Sequence, residues 1–297
     1  VDRSTLPVAR VARDLLRACP LPAAESRALL CEALGVAREY LVAHPEAPVT
    51  GTERERFEKA AAHRLGGMPL AYVLGHQEFY GHRFTVNPAV LVPRPDTELL
   101  VDTAISLLAD RTGARVLELG TGSGCIAITL GLARPDLCIV ATDRSIAALD
   151  IARGNQVALG SNVQFLAADW FAPLLGTWDL VVANPPYIAE GDVHLDALAF
   201  EPRHALTSGP DGLRDLRHIA GQAPARLASD GYLLVEHGYD QATAVRQLLE
   251  DAGLHDVRTL HDLAGRERAC LGRAAAGGEK PCVAGEGALP GFGRHRK

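Results

Sequence analysis

The chain lacks clustered cysteines, long apolar runs and blocks of like charge, and each absence narrows what it does. Its six cysteines (Cys19, Cys31, Cys125, Cys138, Cys270 and Cys282) include no close pair, and no Cys/His cluster has zinc spacing, so a reduced, metal-free protein is expected. No stretch of about 18 apolar residues offers a bilayer span. No charged start runs into an apolar signal segment. Neither export nor a membrane partner is expected, and the cytoplasm is the expected compartment. A formal net charge of −6 over 297 residues is unlike the basic footprint of a protein that grips duplex nucleic acid, so no stable nucleic-acid binding is expected. There is no internal repeat. What is present is 47% apolar residues, enough for one large core and a small second one.

Apolar spacing organises the chain. Val8, Val11, Ala12, Leu15, Leu16 and Cys19 fall on one helical stripe that ends before Pro20 and Pro22. Leu30, Ala33, Leu34, Ala37 and Leu41 continue as a second helix, stopped by the proline-containing stretch His44 to Pro48. Thr52 with Glu55 has the spacing of a capping box for a third helix carrying Phe57, Ala61 and Leu65, closed by Gly66 and Gly67. Residues 1–75 are expected to form a small helical bundle. Residues 76–93, with Phe79, Phe84, Val86, Val90 and Leu91 around Gly81 and Asn87-Pro88, suggest a hairpin linker that serves as a hinge. From residue 94 to 273, strands expected near 115–119, 138–142, 163–167, 178–183, 231–236, 255–260 and 268–272 alternate with helical stretches. Seven such strands imply a doubly wound α/β domain with a mainly parallel sheet. Residues 274–297 are Ala/Gly-rich and aperiodic, and disorder is expected there.

The strand Val116-Leu117-Glu118-Leu119 runs into Gly120-Thr121-Gly122-Ser123-Gly124 and then into a helix. The third glycine of a dinucleotide fingerprint belongs at position 125, where Cys125 stands, so this is a GxGxG loop. Glycines there let a ribose-containing ligand lie against the backbone. The next strand ends in Asp143, about 20 residues on, where a carboxylate accepts the hydrogen bonds of a ribose diol. The third strand ends at Ala168-Asp169-Trp170, where a carboxylate can receive an adenine amino group and an indole can border the ring. A tight structural turn, a helix N-cap at Asp169 and a core role for Trp170 are the bland alternatives.

The fourth strand ends in Asn184-Pro185-Pro186-Tyr187. A conjugated NH₂ group is a poor nucleophile. To be methylated it must be oriented, and the positive charge growing on it needs acceptors. The Asn184 side-chain oxygen and the Pro185 carbonyl supply two, Pro185 and Pro186 hold them rigidly, and the Tyr187 ring can pack on a planar amide. Asn184, Pro185 and Tyr187 are therefore the expected catalytic residues, and Asn184 to Tyr187 the expected substrate site. An adenine amine would suit the same tetrapeptide.

Gly75-His76-Gln77-Glu78-Phe79-Tyr80-Gly81, Val92-Pro93-Arg94-Pro95-Asp96-Thr97-Glu98, Glu118 to Gly124, Asp169-Trp170-Phe171, Asn184 to Ile188, Phe200-Glu201-Pro202 and Glu236-His237-Gly238 together resemble the bacterial release-factor glutamine methyltransferases of the PrmC/HemK type, over residues 5–273. The resemblance implies a Rossmann-like class I methyltransferase domain that uses S-adenosyl-L-methionine. It implies cofactor contacts from Gly120, Thr121, Gly122, Ser123, Gly124, Asp143, Trp170 and Asn184, with Asp169 beside them. The substrate it implies is the glutamine of the Gly-Gly-Gln loop in class 1 peptide chain release factors, docked with help from the helical domain. Ala168 stands where such proteins often carry serine. The Arg94-Pro95-Asp96-Thr97 stretch resembles a loop beside the active site, though a helix start with proline in its first turn accounts for it equally. Rival readings are a ribosomal-protein glutamine methyltransferase, a nucleic-acid adenine amino-methyltransferase and a non-catalytic cofactor-binding adaptor. A monomer is expected.

Overall fold

A computed structural model describes residues 11–276. Val8, Cys282 and the segment 277–297, for which disorder was expected, lie outside the described residues. The first helices are α1 (Ala12–Ala18), α2 (Ala23–Leu34), α3 (Arg38–Ala43), α4 (Gly51–Leu65) and α5 (Leu70–Leu74). Ala12, Leu15, Leu29, Leu30, Leu41, Val49, Phe57 and Ala61 form their shared core.

Two local expectations are corrected here. The second apolar series is not one helix: Gly35, at φ +66°, closes α2 in the left-handed conformation, and α3 starts afresh. The capping box belongs to Thr50 and Glu53, not Thr52 and Glu55. Thr50 Oγ1 accepts from the Glu53 N–H at 3.3 Å, and the Glu53 carboxylate accepts from the Thr50 N–H at 2.8 Å. Both threonines have the same spacing to a glutamate. Val49 is buried and Pro48 bridges to Val11, which keeps the chain extended up to Val49, so Thr50 is the first residue free to cap.

A hairpin of β1 (His76–Phe79) and β2 (His82–Thr85) follows, turning at Tyr80 and Gly81, both at positive φ. It is packed, not hinge-like. Phe79 and Phe84 meet edge to face at 6.1 Å and are buried in the core of the large domain. Asn155 ties the hairpin down by accepting from the Thr85 N–H at 2.8 Å and donating to the carbonyls of Thr85 (3.0 Å) and Ser123 (2.9 Å).

The large domain runs α6 (Glu98–Leu107), β3 (Arg115–Leu119), α7 (Cys125–Ala133), β4 (Cys138–Asp143), α8 (Ile146–Leu159), β5 (Gln164–Ala167), β6 (Trp178–Ala183), α9 (Arg214–Arg226), β7 (Leu227–Glu236), α10 (Ala242–Asp251), β8 (His255–His261) and β9 (Glu267–Arg273). The sheet order is β5-β4-β3-β6-β7-β9-β8; the first five strands are parallel, and β9 enters antiparallel between β7 and β8. The sequence expectation of a doubly wound, mainly parallel, seven-stranded sheet holds. Val116, Leu180, Val182 and Leu234 pack against α6, α7 and α8, whereas Leu117, Leu119, Val181 and Val235 pack against α9 and α10. With both faces covered, β3 and β6 read as nearly continuous apolar runs. Strand β7 begins at Leu227, before the expected 231, because Ser229-Asp230-Gly231, which has the look of a turn, is absorbed as a bulge opposite Trp178. A Cβ at Gly231 would sit 2.8 Å from the Trp178 carbonyl oxygen. No described helix is long and apolar enough to cross a membrane.

Candidate active site

Strand β3 lies between β4 and β6, and the chain winds outward from it in both directions. The carboxyl ends of β3 and β6 therefore flank the topological switch point, where open α/β sheets bind ligands. A cleft of about 940 Å³, counted to its open mouth, lies there. Gly120, Thr121, Gly122, Ser123, Asp143, Asp169, Trp170, Asn184 and Pro186 all line it. Four segments distant in sequence thus meet in the order expected of them.

The loop after β3 is held from below and from the side. Gly120 and Gly122 have φ of +71° and +55°, in the left-handed region that glycine tolerates. A Cβ at Gly120 would lie 3.5 Å from the Trp170 ring, and at Gly122 it would enter open space. Gly124 does not line the cleft. A Cβ there would fall 2.8 Å from Ile128 Cδ1 and 3.2 Å from Ala152 Cβ, so this glycine serves the contact between α7 and α8. Asp143 steadies the loop as well as facing the cleft: its carboxylate accepts from the Gly122 N–H at 3.0 Å and the Ser145 N–H at 2.8 Å.

Glu118 was not singled out in the sequence as a site residue, yet it lines the cleft from within β3. Its carboxylate accepts from the Thr121 hydroxyl at 2.6 Å and the Ala127 N–H at 3.2 Å, while burial pushes its pKa up to about 8. The available signal was an acid inside an apolar strand of a parallel sheet. Asp169 does not cap a helix. It and Ala172 exchange backbone bonds of 3.2 and 3.0 Å, a tight turn that sets Trp170 at φ +52° with its ring over Gly120. A non-glycine residue in that region costs about 1–3 kcal/mol, a strain that concentrates at ligand sites.

At the end of β6, the Asn184 Nδ2 donates to Thr97 Oγ1 at 3.1 Å, and among the described residues no donor reaches its Oδ1. Pro185 is buried and is not among the lining residues. Tyr187 is not among them either. Its side chain packs with the core under α9 and α10, and its hydroxyl donates to Glu236 Oε1 at 3.3 Å. Burial is the main reason that Tyr187 ionises well above the ordinary range, with Glu236 adding to it. The far wall comes from Val90, Leu91, Pro93, Arg94 and Thr97 after the hairpin, and from His204 and Ala205. Arg94 pairs with the buried Glu201, which also accepts from the Val92 N–H at 3.1 Å. Thr97 and Arg94 belong to the stretch whose role the sequence left open between a helix start and a loop beside the site. The stretch does both: Pro95–Thr97 form a short 3-10 turn ahead of α6.

Residues 8–75 match the family described as the PrmC N-terminal domain, and residues 95–208 the one described as the methyltransferase small domain. The chain is 50% identical over 260 residues to a release factor glutamine methyltransferase of Bordetella pertussis, covering 86% of this chain and 96% of that protein. It is 46% identical over 280 residues to the one from Burkholderia pseudomallei, covering 91% and 98%. A solved methyltransferase from Pyrococcus furiosus shares the fold alone, with a TM-score of 0.50 at 16% identity over 73% of this chain and 99% of that one. With half of the 260 aligned residues in common with such a relative, over 86% of this chain and 96% of that protein, this chain belongs to the release factor glutamine methyltransferase family.

Proposed function

We propose that this protein transfers a methyl group from S-adenosyl-L-methionine to the side-chain amide nitrogen, N5, of the glutamine in the Gly-Gly-Gln motif of class 1 peptide chain release factors. The observation that carries the reading is the Asn184 amide at the switch point, its NH₂ engaged by Thr97 and its oxygen without a donor among the described residues. An acceptor so placed suits an incoming amide NH₂ group. Asn184 Oδ1 and the Pro185 carbonyl each take one N–H of the glutamine, turn the nitrogen lone pair toward the methyl donor and stabilise the positive charge that develops on nitrogen. Proline at 185 and 186 limits the freedom of both acceptors. Near-attack positioning is worth on the order of 7–11 kcal/mol, and hydrogen bonds to a group acquiring charge ~1.5–3 kcal/mol each, so orientation is the larger contribution. The methylated nitrogen, cationic at first, loses its extra proton readily, and no general base is needed before transfer.

The residues fit an adenosyl cofactor. Gly120 and Gly122 keep side chains out of the cleft floor, Trp170 offers an aromatic face, and Asp143 and Asp169 are carboxylate acceptors for a ribose diol and an amino group. Gly120, Thr121, Gly122, Ser123, Asp143, Asp169, Trp170 and Asn184 would hold it. When bound, S-adenosyl-L-methionine supplies an electrophilic methyl group on a sulfonium. The α1–α5 bundle helps dock the release factor, and the enzyme acts as a monomer in the cytoplasm.

The test is incubation with methyl-labelled S-adenosyl-L-methionine and a purified release factor or, separately, unmethylated DNA, followed by peptide mass spectrometry. One methyl group on the Gly-Gly-Gln glutamine is expected. Label on DNA with none on the release factor would overturn the assignment.

A further inference from the structure

Asn184 serves as an acceptor only while its oxygen faces the cleft. A half-turn of the side-chain amide would present NH₂ there instead, repelling the glutamine N–H groups it has to receive. The contact with Thr97 does not by itself prevent this, because a hydroxyl both donates and accepts. Thr97 could take a hydrogen bond from Nδ2 or, with the amide reversed, give one to Oδ1. Whatever claims the single hydroxyl hydrogen of Thr97 decides the orientation.

Glu236 is placed to claim it. It ends β7, is 2% exposed, and is the acid of the Glu236-His237-Gly238 segment, which the proposed chemistry leaves without a role. Tyr187 donates to its Oε1. Its Oε2 is buried without a hydrogen-bond partner among the described residues; the Thr97 hydroxyl, itself only 2% exposed, lies close enough to pull the Glu236 pKa down against burial, and it is the donor that a small side-chain shift would bring to this orphaned oxygen. A carboxylate can only accept. Once Thr97 donates to Glu236, it has only lone pairs left for Asn184, and the asparagine must offer NH₂.

We propose that Glu236 is a positioning residue for methyl transfer, acting through Thr97: in its ionised form it makes the Thr97 hydroxyl an acceptor and so holds Asn184 with Oδ1 toward the substrate amide. This rests on the function proposed above. No covalent step is involved; the three groups set the direction of two hydrogen bonds.

The device is sensitive to pH. The groups facing Glu236 are Tyr187 from the loop after β6, Asp96 and Thr97 from the turn before α6, the buried Cys125 thiol from the start of α7, and Arg268 from β9, the last paired with Asp96 at 2.9 Å and Asp262 at 3.1 Å. Burial outweighs the hydroxyls and Arg268 and raises the Glu236 pKa to about 7. A protonated Glu236 becomes a donor, Thr97 is then free to donate to Asn184, and the amide can reverse. Turnover should therefore fall as pH drops through about 7.

The experiment uses the full chain, a purified release factor and methyl-labelled S-adenosyl-L-methionine. It measures kcat from pH 6 to 9 for the wild type, Thr97→Val, Thr97→Ser and Glu236→Gln, with S-adenosylhomocysteine affinity by calorimetry as a readout independent of turnover. Thr97→Val is expected to lower kcat by up to about 10²-fold, the cost of misplacing a reacting geometry, with cofactor-product affinity within about threefold. Thr97→Ser keeps the hydroxyl and should stay within about threefold of wild type in both. Glu236→Gln should lose the acid limb. The inference is overturned if Thr97→Val turns over within twofold of wild type, if Thr97→Ser is as impaired as Thr97→Val, or if the acid limb survives in Glu236→Gln. The wild-type and Glu236→Gln profiles decide the matter even if Thr97→Val does not fold. A wild type that leaves the release factor unlabelled overturns the proposed function itself, and is distinguished from failure of the relay by the absence of any rate to compare.

Discussion

Asn184 and Asp143 sit at two strand ends of one cleft but carry different loads. Asn184 contributes an acceptor that no donor among the described residues meets, so its loss should be felt where charge develops on the substrate nitrogen. Asn184→Ala is expected to lower kcat by about 10²–10³, the scale for removing one preorganised polar group, while S-adenosylhomocysteine still binds. Calorimetry beside single-turnover labelling separates the two effects, and near-normal turnover in this variant would refute the orientation mechanism. Asp143 holds the Gly122 N–H and the start of α8 as well as facing the cleft. Asp143→Ala should chiefly weaken cofactor affinity, seen as a raised Kd in the same titration, and an unchanged Kd would argue that its role is confined to the loop. Glu118 makes a different statement. Its folded pKa, about 8, lies above the unfolded value of about 4.3, so between those values the folded state binds the extra proton. The stability it brings is complete below the unfolded pKa and is lost as pH rises through about 8. Thermal unfolding of the cofactor-free protein at pH 5 and 8 should show this decline, with Glu118→Gln flattening it; an equal slope in the variant would show that other groups dominate.

Among the elements, α4 and α7 show how a local signal depends on its neighbours. Thr52-Glu55 and Thr50-Glu53 are equally good capping boxes by spacing, and the extended path of Pro48 and Val49 selects the earlier. Thr50→Ala should cost about 1 kcal/mol in denaturant unfolding and Thr52→Ala distinctly less; the reverse order would move the cap back to Thr52. The three glycines after β3 look equivalent in the sequence. Gly120 and Gly122 form the cleft floor, whereas Gly124 lets α8 approach α7. The GxGxG pattern was legible because its turn chemistry is local, but nothing local separates a glycine needed for a ligand from one needed for a helix. The bulge in β7 escaped for a related reason, since Ser229-Asp230-Gly231 has turn composition and only pairing with β6 holds it in a strand.

Across the whole molecule, Asn155 joins parts that the sequence keeps apart. From α8 it bonds both backbone groups of Thr85 in the hairpin and the carbonyl of Ser123 in the cofactor loop, and it is 1% exposed. Asn155→Ala would leave three backbone groups without this partner, of which the Ser123 carbonyl bond is buried and is worth about 1–3 kcal/mol. A clear fall in Tm together with weaker S-adenosylhomocysteine binding is expected, and a variant of unchanged Tm would mean that the hairpin is not coupled to the loop.

By itself the sequence determined which elements form and in what order, and where the glycine loop, Asp143, Trp170 and the Asn184 tetrapeptide lie along them. Periodicity, caps and turn residues act over a few neighbours, and a doubly wound sheet then brings successive strand ends to one edge. Only the tertiary structure decided that Tyr187 turns into the core toward Glu236, that Gly124 packs helices, that the hairpin is docked and not a hinge, and that Thr97 meets the Asn184 amide. Each of these depends on contacts between residues tens of positions apart, whose distance and burial are set when the layers close and leave no mark in local sequence pattern.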